Sequence, residues 1–325
     1  MRGVISTLIT AISIILGGVM LMGVGLGILQ SSPEENPSES EVKMKVDTIT
    51  QPFTSVQAEV WGANLEITPS EDGICNVTSP ATDKVYYTAT VENGVLMLWK
   101  TDLRKWYERF VHFSFQSPTV KVSLPQQEYE ALTVQSYSMD VLVAEGVSFD
   151  RASVTASSGD IQYLGDALSE LNLSLSSGSL FVQGVSTGKI DGKVTSGRME
   201  LTDISCNRLT LKSTSGTIEV QKAEVSEACH FEQASGRISL SHVLSQGRLN
   251  AKLTSGSLRL DQCDAKALSL KLTSGSVRGS LCSEKCFSVR STSGSVDVPP
   301  SVPYADLCEI ETTSGSVDLA IEQND

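Results

Sequence analysis

The chain has 325 residues and is acidic, with 38 aspartates and glutamates against 25 lysines and arginines and a formal net charge of −13. Such a charge repels a phosphate backbone, which argues against nucleic-acid binding. The sequence has only three histidines, and it contains no Cys-x-x-Cys pair, phosphate-binding loop or Gly-Gly-x-Gly-x-Asp series. It therefore indicates no metal, no cofactor and no particular reaction.

The first 30 residues predict a membrane anchor. No charged residue occurs from Gly3 to Pro33, and the stretch from Val4 to Leu29 consists mainly of Ile, Leu, Val, Met and Gly. About 20 apolar residues span a bilayer, whereas a cleaved signal peptide has an apolar core of only about 7–15 residues and a small-residue cleavage site. We expect one transmembrane helix in residues 1–30 of a single-pass protein of the cell membrane, with the bulk of the chain extracytoplasmic.

Two segments separate this helix from the repeats that follow. Residues 31–45 contain Pro33, Pro37 and several glutamates, a composition typical of a flexible acidic linker. Residues 46–130 are β-rich, and two alternating runs flank Glu92-Asn93-Gly94, which predicts a hairpin. Because the end of a repetitive β-structure exposes unpaired strand edges, we expect residues 46–130 to form an N-terminal cap.

From residue 131 to residue 325 the dipeptide Ser-Gly returns every 19–21 residues. The repeated glycines are Gly159, Gly178, Gly197, Gly216, Gly236, Gly256, Gly275, Gly294 and Gly315. Apolar residues alternate with polar ones on both sides of each glycine, as in Leu268, Leu270 and Leu272, which is typical of strands with one buried face. The pattern predicts an all-β fold, a parallel β-solenoid (β-helix) with about 19–20 residues per coil and a corner at each Ser-Gly.

Several of these features together resemble a known family. The apolar N-terminal segment, the run Val120–Pro125 with Tyr129 and Leu132 after it, and the Thr-Ser-Gly-Ser-Val repeats resemble the bacterial putative-adhesin β-solenoid family, whose function is unknown. The resemblance covers nearly everything from Val46 onward. It implies a solenoid at the cell surface, and some members of the family are encoded beside envelope-stress response systems. It implies no catalytic residue.

Residues at equal offsets from the glycine should lie above one another in a stack. Four residues before the glycine, facing outward, stand Lys193, Lys212, Lys252, Lys271 and Arg290, interrupted by Glu232 and followed by Glu311. Two residues before it stand Thr195, Thr214, Thr254, Thr273, Thr292 and Thr313. These two columns are candidates for binding an anionic cell-wall polymer or a glycan; the alternative is that lysine keeps the sheet soluble and threonine favours strands.

The positions of the cysteines can be compared by their offsets from the repeated glycines in the same way. Cys263 and Cys282 each lie seven residues after a glycine in adjacent coils, so their Cα atoms should be about 5 Å apart, within disulfide range. They are the disulfide candidate of this sequence. Cys229 and Cys308 occupy inward positions and are expected to be small core residues.

Catalysis is the weakest of the functional hypotheses. Paired carboxylates serve polysaccharide hydrolases, and equal offsets bring together Asp140 with Asp160, Glu200 with Glu219, and Asp297 with Asp318. No cluster of His, Arg and Tyr accompanies any pair, so we expect no enzyme. The sequence instead favours a membrane-anchored binding scaffold of the adhesin type. The alternatives are a partner of a membrane sensor protein for envelope stress and a polysaccharide-active enzyme.

Overall fold

A computed structural model describes residues 42–106 and 118–322, all within the compact unit Ser40–Asp325. These residues form strands and no helix, as expected of an all-β fold. The predicted transmembrane helix and most of the predicted linker lie outside the described residues, and none of the described segments is a helix that could span a membrane. The strands are β1 (Lys43–Ile49), β2 (Ser55–Val60), β3 (Asn64–Pro69), β4 (Cys75–Ala81), β5 (Val85–Glu92), β6 (Val95–Asp102), β7 (Thr119–Leu124), β8 (Glu128–Ser136), β9 (Val141–Val143), β10 (Ser148–Ser158), β11 (Ile161–Tyr163), β12 (Asp166–Gln183), β13 (Ser186–Leu281), β14 (Lys285–Ser293), β15 (Val296–Asp297) and β16 (Asp306–Ile321).

The coils stack in parallel at the interval that the sequence predicts. Leu171 lies beside Ile190 and Gly178 beside Gly197, an offset of 19 residues along the chain. The long strand β13 runs through several coils and bends at each Ser-Gly without losing its hydrogen-bonded ladder. Apolar side chains at alternating positions face inward and form one continuous core. Each coil buries only one row of side chains, so it depends on its neighbours for a closed core.

Every Ser-Gly lies at a tight corner, and Gly256 shows why the residue is glycine. Its φ is +135°, a conformation that other residues rarely adopt, and a Cβ built there would lie 1.9 Å from the carbonyl oxygen of Gly236 in the next coil. The corners are therefore stacked so closely that a side chain on one coil would strike the backbone of another.

A second corner follows six residues after the glycine in five coils. Its backbone has a positive φ of 49° to 71° and forms a column of left-handed residues. The column consists of Gly184, Asp203, Lys222, His242 and Gln262. Only the first of these is glycine, so the sequence does not mark this corner in the other coils.

The last two coils stack in the reverse of their order along the chain. On one side, Ile310 of β16 pairs with Leu270 of β13, and on the other side it pairs with Val289 of β14. The coil at 306–321 therefore lies between the coil at 267–281 and the coil at 285–297. This corrects the expectation that successive repeats are neighbours throughout, because the chain passes over one layer and then returns to fill it.

The opposite end of the stack has the same arrangement. Strand β2 pairs in parallel with β8 on one side and with β6 on the other, while β3 pairs with β9 and β7. Residues 55–69 therefore form a layer between the layer built from β6 and β7 and the layer at 128–143. The segment expected to be a cap supplies two coils of the stack as well as antiparallel strands.

Antiparallel strands cover this end. Strand β5 pairs with β6 through the predicted hairpin, β4 pairs with β7, and β1 pairs with β4. Asn93 and Gly94 both have positive φ, as the tight turn between β5 and β6 requires. Inside, the rings of Phe53, Tyr129 and Phe149 stack with centroids 5.6 and 5.5 Å apart, which fills the core beneath the cover.

Candidate functional site: a groove at one corner of the stack

The predicted column of basic residues is interrupted by carboxylates at two places. Glu232 lies between Lys212 and Lys252, with N to O distances of 3.3 and 3.4 Å. Because the last coils exchange places, Glu311 does not follow the column but lies between Lys271, at 2.8 Å, and Arg290. Hydrogen bonds from Lys212 and then Lys252 lower the pKa of Glu232.

The remaining members of the two columns are exposed to solvent. Lys193 lies on the coil before Lys212, and its side chain is exposed. The predicted threonines Thr254, Thr273 and Thr292 are exposed as well. The surface therefore has five basic groups interrupted by two carboxylates beside the hydroxyls, and it lacks the uninterrupted positive charge that would attract a polyanion.

Cys263 and Cys282 lie in adjacent coils. The backbone amide of Cys282 donates to the carbonyl of Cys263 at 3.1 Å, and both thiols are free in the structure. Burial raises the pKa of Cys263 to about 11, which keeps this thiol protonated and unreactive near neutral pH. The disulfide between them stays a prediction. Cys229 and Cys308 are buried in the core, where they were expected.

Two of the three predicted carboxylate pairs make contacts between coils. The side chain of Asp140 accepts a hydrogen bond from the backbone amide of Asp160, and that of Asp160 accepts one from the amide of Ser179, both at 2.8 Å. Glu200 and Glu219 share Arg198 as their ion-pair partner. Asp297 and Asp318 lie side by side in register.

The described surface has a concave feature that the sequence did not indicate. Two consecutive positions of one coil and three of each of the next four line a groove of about 660 Å³ that runs along the stack, together with Asp306 of the following layer. We call it the corner groove. Its floor is formed by Thr187, Cys206, Val225, Ser245 and Ala265, all buried. Its rims are formed by Ser186, Ser205, Glu224, Leu244 and Asp264 on one side and by Asn207, Ser226, Gln246 and Lys266 on the other.

The middle position of the groove has a short, inward-facing side chain in each coil. Elsewhere the inward positions carry Leu, Ile or Val, which fill the interior, but here the column reads Thr, Cys, Val, Ser and Ala. Burial raises the pKa of Cys206 to about 12, so the floor is uncharged at neutral pH. Polar groups are held on the rim, where the Ser226 hydroxyl donates to Oδ1 of Asn207 at 2.9 Å.

One floor group lacks a hydrogen-bond partner. The side chain of Thr187 is only 8% exposed, and its Oγ1 atom makes no hydrogen bond to any described residue. A buried hydroxyl without a partner costs about 1–3 kcal/mol. Thr187 belongs to the same column as Ser245, whose side chain hydrogen-bonds the buried thiol of Cys229, so this column faces the core.

A buried lysine closes one end of the groove. The side chain of Lys285 is fully buried, and its Nζ lies 2.5 Å from Oδ1 of Asp264, 2.9 Å from the carbonyl oxygen of Ala265 and 3.7 Å from Asp306. Lys285 belongs to the outermost coil, so this side chain reaches past the inserted coil to the groove. It fixes the position of the two carboxylates at that end.

The sequence predicts that the residues lining the groove form columns, because they lie at equal offsets from the repeated glycines. It does not predict that a groove lies between these columns. The positions eight to ten residues after each glycine differ in type from coil to coil. Only the small size of the middle residue is shared by most coils. That signal is weak because serine, alanine and threonine are common throughout the repeats.

Several solved structures are similar to this chain. A putative adhesin from Bacteroides fragilis NCTC 9343 is 13% identical, with 87% of this chain and 99% of that chain covered and a TM-score of 0.41. A putative adhesin and a putative lipid binding protein, both from Parabacteroides distasonis ATCC 8503, are each 12% identical, with 87% of this chain and 98% and 97% of those chains covered and TM-scores of 0.38 and 0.37. A search of curated proteins gave no significant match.

The family comparison covers nearly all of the described residues. The model of the Toastrack DUF4097 family matches residues 54–248 and 243–325. These two stretches together contain the layers of the stack, the corner groove and both exchanged ends. The chain belongs to the Toastrack DUF4097 family.

Proposed function

We propose that this protein is a membrane-anchored, extracytoplasmic scaffold of the adhesin type that binds a polymer of the cell surface and has no catalytic activity. The observation that carries the proposal is the corner groove, which crosses five coils and has hydrogen-bonding groups on most of them. Because the coils share one continuous ladder, the groove is preformed, and binding does not require its ordering. The apolar segment at residues 1–30 supports the anchor.

Binding of cell-envelope fragments tests this function. The full chain, held in lipid nanodiscs, is expected to retain purified envelope fragments. Replacing the exposed rim residues Ser205 and Ser226 with tyrosine should abolish retention because the two rings fill the groove. The matched control changes Lys252, Lys271 and Arg290 to glutamine on the other surface and should leave retention unchanged. Equal retention by the tyrosine variant would contradict the assignment of the groove.

A second function, as a partner of a membrane sensor protein, is favoured by one observation at the opposite end. Val42, directly before β1, and Met44 and Val46 within it lie at alternating positions and are 63%, 59% and 59% exposed. Val42 and Met44 belong to the end of the predicted linker and Val46 follows it, so an anchored chain would present them near the membrane. A photocrosslinker at position 44 is expected to yield a discrete adduct with one membrane protein in living cells. An adduct that persists after Val42 and Val46 are changed to serine would contradict this function.

A further inference from the structure

We infer that one corner of the antiparallel cover docks on an anionic lipid surface. This corner consists of Lys43, Lys84, Leu103, Lys105 and Trp106, and we call it the cover patch. The inference rests on the membrane anchor of the proposed function. It adds a second membrane contact, which the folded part of the chain makes with lipid headgroups.

Three separate segments of the chain meet at the cover patch. Lys43, the first residue of β1, lies beside Ala81 at the end of β4. The next three residues turn into β5, and the carbonyl oxygen of Lys84 in that turn accepts a hydrogen bond from the amide of Leu103 at 2.8 Å. Leu103 follows directly after β6 and begins the segment 103–106. The register of the antiparallel strands therefore holds these residues together at one corner.

Two large apolar side chains of the cover patch are largely exposed. Leu103 is 62% exposed and Trp106 is 75% exposed. Exposed apolar side chains surrounded by polar ones mark contacts with proteins or membranes. Tryptophan is enriched where a membrane meets water, because its ring is apolar and its N–H group donates a hydrogen bond. The patch thus has side chains that a headgroup layer accommodates.

The cover patch is basic on an acidic chain. Among the described residues, the cations and carboxylates of this corner are Lys43, Lys84, Arg104, Lys105, Asp83 and Asp102. Arg104 and Asp102 form two hydrogen bonds of 2.9 and 2.7 Å, and farther along β1 Lys45 pairs with Asp47. Four cations against two carboxylates leave an excess of positive charge at the corner, whereas the whole chain has a net charge of −13. Such an excess is attracted to anionic headgroups.

The predicted anchor selects the membrane as the partner of this patch. Residues 31–42 connect the predicted transmembrane helix to β1, and a flexible chain of this length has an end-to-end distance of about 20 Å. A surface tethered in this way is present at an effective concentration on the order of millimolar. A few charges and two apolar side chains therefore suffice for a reversible contact. A soluble protein partner would lack this advantage.

Fluorescence quenching of Trp106 in lipid nanodiscs tests the inference. The full chain is placed in discs of phosphatidylglycerol or of phosphatidylcholine, each with the same fraction of lipid brominated near the headgroup. The difference between the unmodified chain and Trp106→Phe separates the emission of this side chain from that of Trp61 and Trp99. We expect quenching of Trp106 in phosphatidylglycerol discs. It should be weaker in phosphatidylcholine discs and at about 1 M salt, where the Debye length is about 3 Å.

Removing positive charge from the patch should weaken the contact. Each cation near an anionic membrane changes the binding constant about fivefold, so Lys84→Gln with Lys105→Gln should lower the ratio of docked to undocked chains about 25-fold. The matched control, Lys252→Gln with Lys271→Gln, removes the same charge from the side of the stack and should leave quenching unchanged. Tm is measured for both variants. If the patch variant is destabilised, the salt dependence of the unmodified chain decides.

A tryptophan at the other end of the stack controls for position. Tyr304 is fully exposed, and it lies in the connection whose Val302 amide donates to the carbonyl oxygen of Lys285 in the outermost coil. Tyr304→Trp, made in the Trp106→Phe chain, should show no quenching in either lipid.

The outcomes separate this inference from the proposed function. Absence of Trp106 quenching in phosphatidylglycerol discs would overturn the inference and leave the anchor intact. A photocrosslinker at position 106 that then captures one membrane protein in living cells would assign the patch to a protein partner instead. Equal quenching in the two lipids, or quenching in the Tyr304→Trp variant, would also overturn the inference. A chain that does not remain with the discs would overturn the anchor and this inference together.

Discussion

The corner glycines show how a single residue type governs the distance between coils. At Gly256 the missing side chain allows the carbonyl of Gly236 to approach, and the same contact repeats along the column. A side chain at one corner would disturb two coils, since the backbone that it strikes belongs to the next layer. The conformation and the close approach therefore act together to exclude every other residue.

Gly256→Ala is expected to destabilise the fold by at least about 3 kcal/mol, because the added Cβ meets a backbone atom that cannot move without its coil. Urea unfolding of the full chain measures this. Gly73→Ala is the control: φ there is +73°, but nothing lies within 4 Å of the added Cβ. It should cost only about 1 kcal/mol. Equal losses for the two variants would contradict the role of stacking at the corner.

Residue patterns predicted one of the two corners and missed the other. The Ser-Gly corners were predicted because glycine is the residue that tolerates their geometry. The column containing Asp203, Lys222, His242 and Gln262 adopts left-handed conformations with ordinary side chains, at an intrinsic cost of about 1–2 kcal/mol for each residue. Packing of the coils on either side maintains this conformation. The amino-acid sequence at this second corner therefore does not distinguish it from an ordinary loop.

At the scale of the strand, the outward-facing columns are organised by alternation of charge. Glu232 receives Lys212 and Lys252 from the coils on either side, and its pKa is lowered by them. Lys271 lowers the pKa of Glu311 in the same way. Adjacent coils lie about 5 Å apart, so like charges in the same column would repel each other. A carboxylate between two basic residues removes this repulsion.

Glu232→Gln is expected to reduce stability at neutral pH by less than about 1 kcal/mol, since the pair is partly solvated. A carboxyl group whose pKa is lowered by folding contributes stability above its unfolded pKa of about 4.3, and that contribution is lost as the pH falls through the folded value. The difference between unmodified and variant chains in urea unfolding should therefore vanish at about pH 3. Glu309→Gln, an exposed glutamate on β16, should show no such dependence.

The elements of the candidate site were predictable only in part. Equal offsets predicted correctly which residues share a column, including Lys212 with Glu232 and Cys263 with Cys282. They could not predict that the corner containing Thr187 and Ala265 would open into a groove. That opening is a property of the backbone path at this corner, and a pattern of polar and apolar residues does not record that path.

For the molecule as a whole, the exchanged coils determine which part of the stack is best protected. The coil at 306–321 has a paired neighbour on both sides, whereas the coil at 285–297 pairs only with it. The end of the stack is thus formed by residues that precede the last strand in the chain. The final strand holds the outer coil in place, together with the Lys285 side chain that reaches inward to Asp264.

Hydrogen exchange should reveal this order. Amides of β16 are expected to exchange more slowly than those of β14, even though β16 comes later in the chain, because local opening begins at the outer layer. Mass spectrometry of peptides from the two strands measures the rates. A chain ending at Ala305 should lose protection in β14 as well, since its partner is absent. Faster exchange in β16 than in β14 of the full chain would contradict the stacking order.

The overall architecture was predictable, and its ends were not. A fixed period with alternating apolar residues predicts a stack, and the described coils pair with the predicted offset. The exchange of layers left almost no trace, because the coil at 285–297 has the same pattern as its neighbours. The one difference is the connection after it, which contains Pro299, Pro300 and Pro303 and carries the chain back across the layer that it had passed over.

The exchanged ends also bear on how proteins of this kind can change length in evolution. Duplicating the last repeat of the gene would add a coil that cannot stack directly on the final strand, since that strand already lies between two others. Insertion of a whole repeat in the middle, between residues 166 and 281, would only lengthen the stack by one coil and leave the exchanged coils at both ends unchanged. Relatives of different size should therefore differ in their number of central repeats while keeping the same two ends.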